Sequence, residues 1–210
     1  MKKSIVVVDD HVSVRDMLVW ILMREAAYEV IGQAGSGIEA MKICGVRNPD
    51  LLILDLVLPY ISGIEVLRRI RKDLPRTRVL IYSGTSDPVM MKEALRERPH
   101  GYVEKLQGLK ILRDAISTIA GGGTYFSTET AQALYETSAS RADGLNLSAR
   151  EREILQMVAE GRSSKEISGV LNVALKTVEN HRANLMLKLD RHDVASLTRY
   201  AVRAGMVGVE

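Results

Sequence analysis

Leu51-Leu52-Ile53-Leu54-Asp55 sets four consecutive aliphatic residues directly before a carboxylate, and Leu56-Val57-Leu58-Pro59 follows. A strand with one wet face alternates apolar and polar residues, whereas a run that is apolar at every position is buried on both faces, as in a parallel sheet covered by helices. Similar runs lie at Ile5 to Val8, Val30 to Ala34 and Val79 to Tyr82, with a weaker one at Tyr102-Val103. The segments between them carry helical spacing, such as Val14, Leu18, Ile21, Leu22 and then Ile64, Leu67, Ile70. Five strand–helix units predict an α/β domain, a doubly wound parallel five-stranded sheet.

That domain closes with a helix over Leu109 to Ala120, stopped by Gly121-Gly122-Gly123. The spacing predicts a further helix over Thr128 to Thr137, and the small, polar stretch Ser138 to Asn146 then reads as an exposed linker. From Leu147 onward only helical periodicity remains. Ser148 with Glu151, and Ser163 with Glu166, are capping boxes that start two short helices, with Gly161 between them. A third helix is expected from about Lys176 to Leu189 and a last one from Val194 to Ala204, ended by Gly205. Four short helices, the second and third joined by a tight turn, suit a small all-α helix-turn-helix domain. The boundaries follow as 1–122, a connecting helix and linker over 123–146, and 147–210.

Composition agrees with two ordinary globular domains: 210 residues, 46% hydrophobic and 26% charged, a mix that neither disordered nor fibrous chains show. The lone Cys44 cannot form an internal disulfide and lies on the apolar face with Ala40 and Ile43. No apolar run approaches membrane-spanning length and the start is too short for a signal peptide, so a cytoplasmic protein with no membrane contact is expected. A net charge of +3 is too small by itself to argue for nucleic acid.

In an open parallel sheet ligands bind beyond the carboxyl ends of the strands. Strand one ends in Asp9-Asp10, strand three in Asp55, strand four in Ser83-Gly84 and strand five in Glu104-Lys105, so all converge on one crevice. Three carboxylates repel one another unless a hard cation sits among them, most naturally Mg²⁺. One carboxylate can then attack phosphorus while a lysine balances the charge of the acyl phosphate; Asp55 is the expected nucleophile and Lys105 the counter-charge. Asp9-Asp10 alone would read as a helix N-cap pair before Val12, and Ser83, Lys105 and Tyr102 each have an ordinary structural reading; the whole constellation decides for chemistry.

Asp9-Asp10, Asp55 followed by Pro59 and Gly63, Ser83 with a small neighbour, and Tyr102 between His100 and Lys105 together resemble the receiver domains of two-component response regulators, from about Ser4 to Ala120. The resemblance implies that Asp10, Asp55 and the backbone carbonyl of Val57 hold Mg²⁺, with Asp9 supporting it through water. It implies that Ser83 is the switch hydroxyl, and that phosphorylation of Asp55 lets Tyr102 rotate toward the interior. Val57 is apolar where many relatives carry a polar or longer side chain, and Glu104 adds a negative charge beside the site.

Projected at about 100° per residue, the third C-terminal helix puts Val178, Leu185 and Leu189 on its inner side and Lys176, Asn180, Ala183, Asn184 and Leu187 opposite. Asn side chains can read adenine edges and a small Ala183 permits close approach. Phosphate contacts are expected from Lys176, Arg182, Lys188 and Lys165, with the hydroxyls of Ser163, Ser164 and Thr177 near helix N-termini. Glu179 reads as a solvated charge or an intrahelical partner of Arg182, and His181 as a packing residue. Leu147-Ser148, Arg150 to Glu153, Gly161, Lys165-Glu166-Ile167, Leu171, Thr177 to Arg182 and Lys188-Leu189 resemble the LuxR-type domain, with Ser164 and Ala174 standing where relatives often carry Asn and Ser.

The two domains together resemble the NarL/FixJ class of response regulators. That resemblance implies a non-enzymatic regulator: a histidine kinase phosphorylates Asp55, and the phosphorylated homodimer binds double-stranded DNA. The small and apolar residues Val194, Thr198 and Val202 on the last helix are the expected dimer contacts. A phosphatase or phosphotransferase would share the acids and Mg²⁺ but needs a second acid-base aspartate two residues after Asp55, where Val57 stands. The other alternative is a phosphorylation-independent regulator whose receiver serves protein interaction.

Overall fold

The computed structural model describes residues 2–85, 87–128, 130–132, 147–191 and 193–207. The chain divides into two compact units, Met1–Ser140 and Arg141–Glu210.

In the first unit β1 (Lys3–Val8), α1 (Val12–Met23), β2 (Tyr28–Ala34), α2 (Gly37–Arg47), β3 (Leu51–Leu54), α3 (Gly63–Asp73), β4 (Arg78–Ser83), α4 (Pro88–Arg96), β5 (Gly101–Glu104) and α5 (Gly108–Ala120) alternate along the chain. The strands form one sheet in the order β2-β1-β3-β4-β5, every pair parallel. The four residues of β3 are all buried, as a central strand with helices on both faces requires. Alternate side chains go to opposite faces: Val6, Val8, Leu52 and Leu54 pack with Ala40, Leu67 and Leu95 of α2, α3 and α4. Ile5, Val7, Leu51 and Ile53 pack with Leu18, Leu22, Leu112 and Ile116 of α1 and α5. At roughly 25 cal/mol per Å² of apolar area removed from water, these two layers dominate the stability of the unit. β2 is one edge of the sheet, and only Ala34 along it is fully buried.

Cys44 is buried on the inner side of α2, and burial pushes its thiol up to about 12, so it is a core residue. The expected helix over 128–137 begins with Ser127, whose hydroxyl accepts from the Thr130 backbone N–H and whose carbonyl accepts from Ala131; its later part and the linker lie outside the described residues.

The second unit holds α6 (Ala149–Ala159), α7 (Ser164–Leu171), α8 (Leu175–Leu189) and α9 (Val194–Arg203). Both capping boxes form, Ser148 with Glu151 and Ser163 with Glu166. Gly161 stands at φ 80°, a left-handed position that lets the chain leave α6 and enter α7. Ile154, Leu155, Val158, Ile167, Val178, Leu185, Leu189, Leu197 and Ala201 are buried, so every helix contributes to one small core. α7 and α8 are separated by Asn172, Val173 and Ala174, with Asn172 left-handed at φ 49°, which makes them a helix-turn-helix.

Candidate functional site

The carboxyl ends of β1, β3, β4 and β5 bring Asp9, Asp55, Ser83 and Lys105 together. Asp9, Asp55 and Ser83 are buried, at 1%, 3% and 0% exposure. Nζ of Lys105 lies 2.6 Å from Oδ2 of Asp9 and 2.6 Å from Oδ2 of Asp55, so one cation bridges two buried acids. Oδ1 of Asp55 accepts from the backbone N–H groups of Leu56 at 2.6 Å and Val57 at 3.3 Å, and from the Ser83 hydroxyl at 3.3 Å.

Burial raises the Asp55 carboxyl above the ordinary aspartate range; hydrogen bonding and charge from Lys105 act against that shift without cancelling it, and Asp9 adds to it. Burial alone would lower the Lys105 ammonium, but its hydrogen bonds and attraction to Asp55 and then Asp9 outweigh burial and hold it above the usual lysine range.

The loop after Asp55 is set by Gly63. A Cβ there would sit 2.0 Å from the Asp55 carbonyl oxygen and 2.7 Å from the Leu56 Cα, both backbone atoms. Its N–H donates to the Leu56 carbonyl at 2.9 Å, so only glycine lets α3 start hard against the nucleophile's own backbone.

The two neighbouring acids at the end of β1 are placed differently. Asp9 is the buried member that meets Lys105, and its Oδ1 accepts the His11 backbone N–H at 3.0 Å. Asp10 is exposed, with Oδ1 2.6 Å from Nδ1 of His11. Ligand atoms of Asp9, Asp10, His11 and Asp55 all lie within 4.8 Å of one another. The donor set is oxygen-rich and suits a hard divalent cation, the one nitrogen coming from His11. His11 was missed from the sequence, where it reads as the residue before α1; its only signal was adjacency to Asp9-Asp10. Arg15 was missed as well: its Nη1 donates to the carbonyls of Asp9 at 2.6 Å and Asp10 at 3.2 Å, pinning the acidic loop from the first turn of α1.

Tyr102 is 2% exposed, so its ring already faces the interior. Burial raises its phenol, with the Glu104 and Asp55 charges adding, against a hydrogen bond with Ser83. Glu104 is not a free charge at the mouth of the site: it caps the 3-10 turn Lys105–Gln107 in a reciprocal box with Gln107. Val57 is 40% exposed, and its N–H serves Asp55.

In the second unit α8 exposes Lys176, Thr177, Asn180, Ala183, Asn184, Leu187 and Lys188 and buries Val178, Leu185 and Leu189, as the projection requires. Two of the expected phosphate ligands are engaged within the unit. Nη1 of Arg182 donates to the Ser164 hydroxyl at 3.0 Å, joining α8 to α7. Nζ of Lys188 lies 2.8 Å from the buried Glu151 carboxylate of α6. Glu179 is exposed, in keeping with a solvated charge, and pairs with Lys176 at 3.5 Å; the other expectation, pairing with Arg182, does not hold, since Arg182 turns toward Ser164. Lys165 is exposed near the α7 N-terminus, and His181 is half-buried, as packing requires. Ala174 stands at the N-cap of α8 with no side-chain cap bond, the expected consequence of losing a hydroxyl there.

A parallel sheet with an aspartate, a hydroxyl and a lysine at its strand ends, followed by a helix-turn-helix, defines a phosphoacceptor domain joined to a DNA-reading module. Comparison with known families agrees. Residues 5–117 match the response regulator receiver domain, and residues 145–201 match the luxR family of bacterial regulatory proteins. The transcriptional regulatory protein MctR of Rhizobium johnstonii is 34% identical over 206 residues, covering 98% of this chain and 96% of that protein. The response regulator protein VraR of Staphylococcus aureus is 30% identical over 205 residues, covering 97% and 98%. The solved structure of RcsB from Salmonella enterica serovar Typhimurium, bound to promoter P1flhDC in the presence of the phosphomimetic BeF3-, superposes with a TM-score of 0.61. It covers 97% of this chain and 99% of that one at 23% identity, a likeness of fold. The chain belongs to the two-component response regulators that carry a receiver and a LuxR-type DNA-binding domain. Among the described residues no helix is long and apolar enough to cross a membrane.

Proposed function

We propose that a carboxylate oxygen of Asp55 attacks the phosphorus of a phosphohistidine on a partner histidine kinase: the P–N bond breaks, an acyl phosphate forms, and the histidine, already protonated on its other ring nitrogen, leaves as a neutral imidazole. The observation that carries this reading is the placement of Lys105 against Asp9 and Asp55, with the Ser83 hydroxyl on the other Asp55 oxygen. Lys105 holds charge against the nucleophile, and Ser83 is placed to donate to the acyl phosphate in its stead. Asp10, Asp55 and the Val57 carbonyl would hold Mg²⁺, with Asp9 and His11 beside it; the ion, when bound, offsets charge on the phosphoryl oxygens.

Phosphorylation then shifts the population toward a homodimer that binds paired half-sites on double-stranded DNA. Lys176, Thr177, Asn180, Ala183 and Asn184 form the reading face of α8, with Lys165 on α7 and Arg182 and Lys188 at its margins. Val194, Thr198 and Val202 on α9 are the proposed dimer contacts. The domain limits proposed are 1–122 for the receiver, 123–146 for the connection and 147–210 for the DNA-binding domain. Val57 stands two residues after Asp55, where turnover of an external substrate would need an acid-base aspartate, which favours a regulator over an enzyme, acting in the cytoplasm where kinase and DNA meet.

The inward Tyr102 favours a second reading, a regulator whose receiver holds its switched conformation without phosphorylation. Incubating the full chain with Mg²⁺ and a small phosphodonor, and weighing it beside Asp55→Asn, separates the two. A single phosphoryl adduct on the wild type alone, with tighter DNA binding, supports phosphorylation control. No adduct on a folded chain assigns the phosphorylation-independent regulator.

A further inference from the structure

At the opposite end of the strands from Asp55, where α3 meets the starts of β4 and β5, Arg71, His100 and Arg78 form a polar cluster in which donors outnumber acceptors among the described residues. The backbone N–H of Val79 points at Nδ1 of His100 at 3.0 Å, and Nη1 of Arg71 lies 3.3 Å from Nε2 of the same ring. A neutral imidazole has one acceptor nitrogen. If Nδ1 accepts from Val79, Nε2 carries the hydrogen and meets Arg71 donor to donor. If Nε2 accepts from Arg71, the hydrogen on Nδ1 meets the Val79 N–H.

Protonating the ring would worsen the conflict, and burial, with the charges of Arg78 and Arg71, holds it down to about 4, so the ring is neutral near pH 7. The second arginine adds to the deficit: one Arg78 terminal nitrogen donates to the Gly123 carbonyl, but its Nε is buried with no hydrogen-bond partner among the described residues. Neither Arg71 nor Arg78 has a carboxylate within ion-pair distance among the described residues. Two guanidinium groups beside a neutral ring, with at least one N–H left facing another donor, make an environment that an anion completes and a cation cannot enter.

We propose that Arg71, His100 and Arg78 form a second ligand site on the receiver, for a small oxyanion whose several oxygens accept from the Nε2–H of His100 and the Arg71 guanidinium together. Nδ1 keeps the Val79 bond, which fixes the tautomer. The ligand chemistry is that shared by free phosphate and by a simple carboxylate. The site is distinct from the phosphoryl crevice but shares β4 with it, Arg78 at one end of that strand and Ser83 at the other.

The test is an NMR titration of the isotope-labelled full chain in EDTA, first with inorganic phosphate and separately with acetate, following the Val79 and His100 amides and the His100 ring nitrogens. Saturable shifts at these nuclei, retained in Asp55→Asn and weakened about tenfold or more in Arg71→Met, are expected from the loss of one charge-assisted hydrogen bond. Response to phosphate alone assigns a tetrahedral ligand, and response to both anions shows that a carboxylate suffices. No saturable shift with either anion, or equal affinity in Arg71→Met, overturns the proposal. Should Arg71→Met fail to fold, the wild-type ring nitrogens decide: they hold the Nε2–H pattern and shift at Nε2 on saturation, or the site does not exist.

Discussion

Lys105 stands 2.6 Å from Asp55, and the Asp55 carboxyl is nonetheless held above its ordinary range, because burial outweighs the lysine. The fold therefore works against the ionised form of the nucleophile. Raised above 3.8, its folded-state value makes this group's contribution to stability full below the unfolded value and lost as pH rises through the folded one. Asp55→Asn removes the cost and should stabilise the receiver by about 1 kcal/mol at pH 7. The gain should shrink as pH falls toward the carboxylate range. Urea unfolding of both proteins across pH measures it, and a variant less stable than wild type at pH 7 would contradict the account.

Gly63→Ala should be severe. The added methyl meets backbone on two sides, which no rotamer change can relieve. We expect a loss of about 2 to 3 kcal/mol in chemical denaturation, with slower phosphoryl uptake, because relief of the clash moves Asp55 or the start of α3.

Ser83→Ala should separate acceptance from response. Its hydroxyl meets one Asp55 oxygen and the Thr85 N–H, both at 3.3 Å, while Lys105 serves the other Asp55 oxygen. Adduct formation by intact mass should persist, and the gain in DNA affinity on phosphorylation should fall several-fold in an electrophoretic shift assay.

Glu151 joins α6 to α8, since its carboxylate accepts from the Ser148 N–H and from Lys188. Burial alone would raise this carboxyl, but the hydrogen bonds of Lys188 and Ser148 together lower it. That stabilisation is full above the ordinary glutamate value of 4.5 and is lost as pH falls through the depressed one. Glu151→Ala should lower the stability of the C-terminal domain by about 1 to 2 kcal/mol. Thermal unfolding at pH 7 should show the deficit, and it should narrow in acid.

Lys176 and Lys188 should behave differently although both carry charge on α8. Lys176→Ala should weaken binding to any DNA sequence and reduce the slope of log affinity against log salt by about 1. Lys188→Ala should act mainly through stability, because its ammonium is tied to Glu151. Asn180→Ala should change the ranking among sites by about 1 to 3 kcal/mol per altered base pair. Fluorescence anisotropy at several salt concentrations distinguishes the three.

The parallel five-stranded sheet and the crevice at its strand ends were legible because both leave a linear trace: apolar runs such as Leu51 to Leu54, each followed at once by a polar residue. The capping boxes at Ser148 and Ser163 were legible for the same reason, as fixed three-residue spacings. What escaped depends on partners distant in sequence or on side-chain direction. Nothing in Asp9-Asp10-His11 says that the first acid turns inward to Lys105 and the second outward to His11. Lys188 reads as a free cation until α6 brings Glu151 to it across thirty-seven residues. The Arg71–His100 contact spans twenty-nine, with no periodicity to announce it.

The close seat of Gly63 on Asp55 makes the crevice mechanically lopsided. On the α3 side, backbone meets backbone with no slack, so that wall is stiff. On the β4 side, Ser83 meets Asp55 through a single 3.3 Å hydroxyl contact. A group added to Asp55 meets an unyielding anvil on one side and a lone hydroxyl on the other, so the β4 side is where the receiver is expected to give.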